Sequence, residues 1–146
     1  MQTEINYSDG TIEARIIEIL KNSSRLGSHE NLVPSGNTEW AVEYHLSPVR
    51  PNMLRPFRWQ GMDVLEVGSG MGALSRFLAE NVNHLSLVEG TQARLSGAKA
   101  RLRDLKNWDA FCGNFENYQT ARRYDVVCFL GVLEYSEVYI AGGSPF

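Results

Sequence analysis

The sequence predicts an α/β fold in which a mostly parallel sheet lies between helices. Short apolar runs, each the length of a buried strand, occur near 63–67, 85–89, 109–112 and 125–130. The stretches after the first two runs have apolar residues at helical spacing, and a glycine-rich loop follows the first run. Because parallel strands need long crossover connections that are usually helical, this alternation favours a single open sheet.

The segment 1–60 is predicted to form a helical and loop cover ahead of the sheet-containing part, 61–146. A first helix is indicated by apolar residues at helical spacing, with Asp9 and Thr11 as possible caps: Ile12, Ile16, Ile17, Ile19 and Leu20. Residues 22–36 are polar and predict a loop, which is either a plain connector or a lid. The prolines that follow permit a short helix between them at most: Pro48, Pro51 and Pro56.

A strand, a glycine loop and a helix start follow one another over residues 63–80. Gly68 is expected at the positive φ of a tight turn, Gly70 where a ligand approaches the backbone, and Gly72 where the helix packs against the strand. The helix is predicted by one apolar stripe: Leu74, Phe77 and Leu78. Because the first N–H groups of that helix face the loop, the segment is typical of a nucleotide-cofactor site.

An acid in the first strand discriminates between two classes of cofactor. Read as Gly68-x-Gly70-x-x-Ala73, the loop also satisfies the dinucleotide fingerprint. Glu66 argues against a dinucleotide, since two unit charges about 6 Å apart at an effective dielectric near 20 repel by roughly 3 kcal/mol. A ligand with ammonium and sulfonium groups reverses that sign, and S-adenosyl-L-methionine has both. Its carboxylate is expected at the helix N-terminus, where the dipole favours negative charge.

A second acid, Glu89, ends the next predicted strand about 20 residues after Gly68, where a carboxylate accepts hydrogen bonds from a ribose diol. The alternative is a solvated acid at the start of a loop, since Gly90 and Thr91 follow as turn and helix cap. The order of strand, loop, helix, strand and acid favours the ribose interpretation.

An amphipathic helix and two more strands complete the predicted series. Thr91 caps the helix, whose apolar residues repeat at helical spacing: Leu95, Ala98, Leu102 and Leu105. Basic residues cluster on this helix, and we interpret them as a solvated face rather than a phosphate-binding surface: Arg94, Lys99, Arg101, Arg103 and Lys106.

The run from Tyr44 to about Tyr135 resembles a class I S-adenosylmethionine-dependent methyltransferase. The motifs that it resembles are the first at 63–72, the second at 87–89, the third at 112–115, and the fourth strand with its following segment at 124–135. The segment 44–57 is similar to the lead-in of a bacterial subgroup often associated with glycosyltransferases.

This resemblance implies a Rossmann-like three-layer sandwich with strand order 3-2-1-4 for the part present, and a ligand crevice at the carboxyl ends of the first two strands. It implies that Asn114 and Phe115 contact adenine; Asn114 stands where Asp is common, and its amide can still pair with the base. Leu130 stands where many relatives have a polar residue, which leaves backbone groups there for the methionine end. The predicted cofactor-binding residues are Glu66, Gly68, Ser69, Gly70, Gly72, Glu89, Gly90, Asn114, Phe115 and Leu130.

The implied function is transfer of a methyl group from S-adenosyl-L-methionine to a small-molecule or saccharide-related acceptor. Such a transfer mainly requires the acceptor to be held in line, with a general base only where the acceptor must lose a proton. His45, Glu134 and Tyr135 are nearby acceptor-side candidates, and no catalytic residue is assigned. Two alternatives stay open: a non-catalytic binding or assembly module derived by truncation, and a nicotinamide or flavin dehydrogenase domain, against which Glu66 argues.

Composition predicts one compact domain and argues against several kinds of partner. The chain has 146 residues, of which 43% are hydrophobic and 21% charged, enough for a single core. A net charge of −3 gives no overall attraction to nucleic acid. No apolar signal core and no membrane-spanning run are present, so the cytoplasm is expected. The two cysteines, Cys112 and Cys128, and the scattered histidines give no support to a metal site.

The end of the chain is expected to be incomplete on the C-terminal side relative to that family. Ser144 and Pro145 predict a helix start that no helix follows. The fourth strand, with Val126 and Val127, would then be an exposed apolar edge of the sheet. We therefore expect a homo-oligomer in which this strand pairs with a second copy.

Overall fold

The computed structural model describes residues 10–133 and confirms the α/β arrangement. The helices are α1 (Gly10–Asn22), α2 (Trp40–Leu46), α3 (Ala73–Asn81) and α4 (Gln92–Leu102), and the strands are β1 (Asp63–Val67), β2 (His84–Glu89), β3 (Trp108–Cys112) and β4 (Val126–Phe129). Short 3-10 helices span Arg50–Met53 and Phe115–Asn117. Glu134, Tyr135, Ser144 and Pro145, like the possible cap Asp9, lie outside the described residues.

The four strands form one parallel sheet in the order β3-β2-β1-β4, as predicted. Val67 near the end of β1 lies opposite Val88 of β2 and Phe129 of β4. Glu89 at the end of β2 lies opposite Cys112 of β3. Because all strands run the same way, their carboxyl ends meet at one edge, and the loops that follow them share that edge.

The main core lies between the sheet and the helices α3 and α4. Strand residues such as Val64, Leu85 and Leu87 pack there with Leu74 and Leu78 of α3. The predicted stripes of α3 and α4 are buried, and the Thr91 hydroxyl accepts a hydrogen bond from Arg94 N at 3.4 Å as the predicted cap of α4. The glycine loop is thus held between a buried strand and a buried helix.

The N-terminal extension packs against α4 through a second apolar cluster. Ile16 and Leu20 of α1 meet Val42 and Leu46 of α2 there, and Met71 from the glycine loop belongs to the same cluster. The sequence predicted α1 but not α2, because only two of the seven residues of α2 are buried and a two-turn helix gives little periodicity. The cover therefore contacts the candidate site directly.

The basic residues of α4 correct one interpretation. Arg101 is 5% exposed and donates to the carbonyl of His45 at 2.7 Å. Arg103 donates to the carbonyl of Leu20 at 2.8 Å, and Arg94 Nε lies 2.9 Å from the buried Glu13 carboxylate. The solvated-face interpretation is wrong for the buried Arg101 and the partly buried Arg94, whereas Arg103 is exposed, as are Lys99 and Lys106. All three arginines fasten the N-terminal extension to α4.

Candidate functional site

The glycine loop makes a tight turn between β1 and α3. Gly68 N donates to the carbonyl of Val88 at 2.8 Å, and Gly72 N donates to the carbonyl of Ser69 at 3.0 Å. Gly68 has φ +78°, in the left-handed region, so the expectation of a positive φ there is confirmed. The loop is tied to the end of β2, where the second acid lies.

Two of the glycines make room for other parts of the chain. A Cβ on Gly68 would clash with a methyl group of Val132, which follows β4. A Cβ on Gly72 would lie 3.0 Å from Cα of Ala98 on α4. Gly72 therefore allows α4 to approach, and the prediction that it lets a helix pack against the strand named the wrong partner.

The other two glycines leave open backbone. The position of a Cβ on Gly70 has His45 Cε1 as its nearest neighbour, at 4.0 Å, and Gly90 has nothing within 4 Å. Ser69 Oγ is buried and has no hydrogen-bond partner within the described residues. A buried hydroxyl normally finds a partner, so bare backbone beside an unpaired hydroxyl fits a polar ligand at this loop.

Glu66 lies at the floor of the crevice, 2% exposed. Ser75 Oγ, on α3, donates to Glu66 Oε2 at 2.6 Å. Burial raises the pKa of Glu66 from 4.5 to about 7, against the Ser75 hydrogen bond and the Arg50 charge, which lower it. Burial thus favours the protonated form of this carboxyl, and a nearby cation would favour its ionised form.

Glu89 is a buried acid, 6% exposed, so the interpretation as a solvated acid is wrong. Gly70 N donates to its Oε2 at 2.8 Å, and Thr91 N donates to its Oε1 at 3.0 Å. Each carboxylate oxygen accepts more than one hydrogen bond, so both can still accept from a diol. The carboxylate thus joins the two loops that border the crevice.

The remaining predicted residues follow β3 and β4. Asn114 is exposed and precedes the 3-10 helix Phe115–Asn117, while Phe115 is 43% exposed with its ring 5.3 Å from that of Phe129. Leu130 is half-buried and packs against the main core. An exposed amide and an exposed aromatic ring at the carboxyl edge suit a heterocyclic base.

The sequence named His45 as an acceptor-side candidate but did not predict that the N-terminal extension contacts the glycine loop. His45 lies over Gly70, and its Nδ1 is buried without a hydrogen-bond partner in the described chain. Burial and the charges of three arginines lower the pKa of His45 to about 4, so it is neutral at pH 7. His45 and Gly70 are far apart in the sequence, so no local sequence pattern predicts their contact. Acceptor-side candidates Glu134 and Tyr135 fall outside the described chain.

The side chains of residues 10–133 also bear on metal ligation and membrane insertion. No group of three or more potential metal-ligating side chains comes together there. No helix in that range is long and apolar enough to cross a membrane. Cys112 is exposed and Cys128 buried, and both are free thiols.

Comparison with protein families identifies residues 64–140 as a match to the family described as methyltransferase domain. The matched stretch begins in β1, includes both acids and the glycine loop, and makes up more than half of the chain. Comparison with curated proteins gives no match.

The chain also aligns with solved structures, and the first of these shows the same fold. Phosphoethanolamine N-methyltransferase 1 of Haemonchus contortus, in complex with S-adenosylhomocysteine, aligns at TM-score 0.50 and 20% identity over 53% of this chain and 17% of its own. An S-adenosylmethionine-dependent methyltransferase of Clostridium acetobutylicum aligns at TM-score 0.41 and 27% identity, over 44% of this chain and 27% of its own. CalS10, an amino pentose methyltransferase of Micromonospora echinaspora, aligns at TM-score 0.44 and 24% identity. That alignment covers 59% of this chain and 34% of CalS10. The chain thus spans 17% to 34% of these relatives.

Proposed function

Because the chain belongs to the methyltransferase domain family, we propose that it binds S-adenosyl-L-methionine at the carboxyl ends of β1 and β2 and transfers its methyl group to a small-molecule acceptor. A saccharide-related acceptor is the narrower form of this proposal, drawn from the resemblance of the 44–57 segment. The net charge of −3 supports a small molecule over a nucleic acid.

The observation that carries the proposal is the environment of Glu89. It is a buried carboxylate held by Gly70 N and Thr91 N, with lone pairs left at the crevice, beside a loop whose Ser69 hydroxyl lacks a partner. A ribose diol would use those lone pairs. Asn114 and Phe115, which follow β3 at the same edge of the sheet, are the proposed contacts of the adenine.

The bound cofactor would supply an electrophilic methyl group on a positively charged sulfur. Glu66 would face the ammonium and sulfonium end, and its ionised form would be favoured there. Glu89 would fix the ribose, and the loop from Gly68 to Gly72 would leave the backbone bare for the methionine part. Holding donor and acceptor in line is the main requirement for such a displacement, so these residues act by positioning.

The proposal is tested by titrating the full chain with S-adenosylhomocysteine in a calorimeter. We expect binding by the unmodified protein and a loss of about 10- to 100-fold in affinity for Glu89→Gln, since hydrogen bonds to a charged group contribute about 1.5–3 kcal/mol each. Glu18→Gln, at an exposed site on α1, is the control and should bind as the parent does. Absence of binding by the unmodified protein, or equal binding by both variants, would contradict the proposal.

A non-catalytic binding module is the alternative function. It predicts S-adenosylhomocysteine binding without formation of that product from S-adenosyl-L-methionine in the presence of any acceptor. The family match and Glu66 both argue against the dehydrogenase alternative, which predicts binding of NAD and not of S-adenosylhomocysteine.

We also propose that the chain forms a homo-oligomer through β4. This strand consists of Val126, Val127, Cys128 and Phe129, pairs with β1 on one side, and has no strand partner on the other among residues 10–133. Val127 is 47% exposed. An uncharged apolar edge favours pairing with another strand. The free thiols are consistent with the cytoplasmic compartment that the sequence predicts.

A further inference from the structure

Exposed apolar side chains are concentrated in one surface segment, residues 49–59, which lies between α2 and β1. Val49, Met53 and Phe57 are each more than half exposed there. Outside this segment, the exposed large apolar side chains within residues 10–133 occur singly: Trp40, Phe115, Val127 and Leu133. A single exposed apolar residue is ordinary, whereas a group of them in one place marks an interaction surface.

A series of turns keeps these side chains on the outside of the 49–59 segment. Leu54 N donates to the carbonyl of Pro51 at 2.9 Å, and Phe57 N donates to the carbonyl of Leu54 at 3.2 Å. Pro51 and Leu54 are buried, while Met53 and Phe57 beside them are exposed. The backbone of this segment is therefore hydrogen-bonded and anchored on its inner side, and its apolar side chains are presented outward.

The same part of the chain is basic. Residues 44–62 include three arginines and no Asp or Glu, although the whole chain has a net charge of −3. Arg58 is exposed and has no hydrogen-bond or ion-pair partner among residues 10–133. Arg55 is also exposed, and its Nε donates to Asn52 Oδ1 at 2.9 Å. Asp63, the next acid along the chain, lies 3.4 Å from the Arg122 guanidinium, so it leaves the positive charge of the segment uncompensated.

An apolar groove of about 370 Å³ opens beside Phe57. Its lining residues are Leu54, Phe57, Arg58, Trp59, Met62 and Val126. Trp59 Nε1 donates to the carbonyl of Leu54 at 2.8 Å, so the polar atom of this ring is already satisfied. Met62 directly precedes β1 and Val126 begins β4, so the groove lies at the amino edge of the sheet, opposite the crevice.

Charge and apolar exposure together discriminate among the partners that this surface fits. A soluble anion would use the arginines and leave the apolar side chains in water. A second copy of the chain, placed by a two-fold axis, would bring arginines against arginines. An anionic lipid surface uses both features, because its phosphates attract guanidinium groups and its acyl boundary accepts apolar side chains.

We propose that the 49–59 segment docks the protein on an anionic lipid surface. Met53 and Phe57 enter the boundary between headgroups and acyl chains, while Arg55 and Arg58 lie at the phosphates. The groove beside Phe57 offers apolar space for part of an acyl chain. Because this groove lies at the amino edge of the sheet, docking leaves the crevice at the carboxyl edge open, and it does not depend on the proposed function.

Co-sedimentation of the full chain with lipid vesicles tests this proposal. We expect binding to vesicles of equal parts phosphatidylcholine and phosphatidylglycerol to be about 10- to 30-fold tighter than to phosphatidylcholine alone, because two arginines lie near the charged surface. Added salt should weaken the binding. Phe57→Ser should weaken it about 10-fold or more, with Met53→Ser acting in the same direction, and Arg58→Gln should weaken it about 5-fold.

Leu133→Ser and Lys106→Gln are the matched controls. They remove an exposed apolar side chain and an exposed cation elsewhere on the surface, and they should bind vesicles as the parent does. Phe57→Ser should bind S-adenosylhomocysteine as the parent does, which shows that the variant is folded and separates this surface from the crevice.

Three results would overturn the proposal: no binding to the mixed vesicles, equal binding to vesicles of phosphatidylcholine alone, or equal losses in the variants and their controls. Arg58-dependent binding of glycerol phosphate, with no effect of Phe57→Ser on vesicle binding, would assign the arginines to a soluble anion instead. Loss of self-association by Phe57→Ser without lipid, measured by sedimentation velocity, would assign the surface to a second copy and overturn lipid docking.

Discussion

Burial gives two residues of the site opposite pH responses. The pKa of Glu66 is raised to about 7, so the folded chain holds a proton there that the unfolded chain releases above about 4.5. The stability that this bound proton adds to the folded state falls as pH rises from about 4.5 to 7. The pKa of His45 is lowered to about 4, so its contribution rises with pH from about 4 to 6.5. The contributions of Glu66 and His45 to the free energy of unfolding change in opposite directions over nearly the same pH range. They therefore nearly cancel, and the pH dependence of the unmodified protein alone shows neither of them.

Comparison with Glu66→Gln isolates the buried acid, because His45 is present in both proteins. We expect the free energy of unfolding of the variant, minus that of the parent, to rise by up to about 3 kcal/mol between pH 5 and 8, since each pKa unit corresponds to about 1.4 kcal/mol. Urea denaturation at several pH values measures this difference. The exposed acid variant Glu18→Gln should give a flat difference, and a flat difference for Glu66→Gln would show that its pKa is not raised.

The sequence located the site residues at the ends of strands. It did not locate the residues that packing brings to the glycine loop from other parts of the chain. Glu66 and Glu89 were found because each sits at or near a strand end in a recognisable order with the glycine loop. Both side chains are buried at the ends of β1 and β2, and their role in a ligand site stays a prediction. Val132 had no such signal, and neither did the contact of His45 with Gly70, because both contacts arise only from packing.

At the scale of elements, Gly72 determines how closely α4 approaches the glycine loop. An alanine there meets two costs: a left-handed backbone at φ +77° and a contact of 3.0 Å with Ala98 Cα. Gly61 has φ +78° and nothing within 4 Å, so Gly61→Ala has the backbone cost alone. We expect Gly61→Ala to lower the free energy of unfolding by about 1–2 kcal/mol and Gly72→Ala by about 1–3 kcal/mol more.

Urea denaturation of the two glycine variants measures that difference directly. Equal losses would mean that α4 moves away at little cost, which would contradict the close approach of α4 to the loop. Because the backbone conformations match, the control removes the conformational term from the comparison.

The elements themselves were predictable where periodicity was strong. The strands were placed within about a residue of their observed ends, since short β-rich apolar runs between turn residues leave few alternatives. Helix α2 was missed because its burial covers only Val42 and Leu46. The arginines of α4 were misread because a sequence shows a charge but not the carbonyl to which it donates, and Arg101 and Arg103 reach carbonyls in the N-terminal extension.

At the scale of the molecule, the cover and the sheet-containing part meet in one core. Met71 from the loop and Ala100 from α4 share a cluster with α1 and α2. The buried ion pair of Arg94 with Glu13 adds a polar link across the same boundary. The glycine loop is therefore packed against the cover as well as against the sheet-containing part.

The open side of β4 leads to the last prediction. A pair of β4 strands related by a two-fold axis would run antiparallel and bury Val127, which is 47% exposed in the single chain. Natural sheet edges avoid such pairing with charged side chains, and β4 has none. We expect sedimentation velocity at micromolar concentration to show a dimer or larger species for the unmodified chain and a monomer for Val127→Lys. Gln119→Lys adds the same charge at an exposed loop position and should sediment as the parent does. A monodisperse monomer for the unmodified chain would refute the pairing, because the edge would then be exposed without recruiting a second copy.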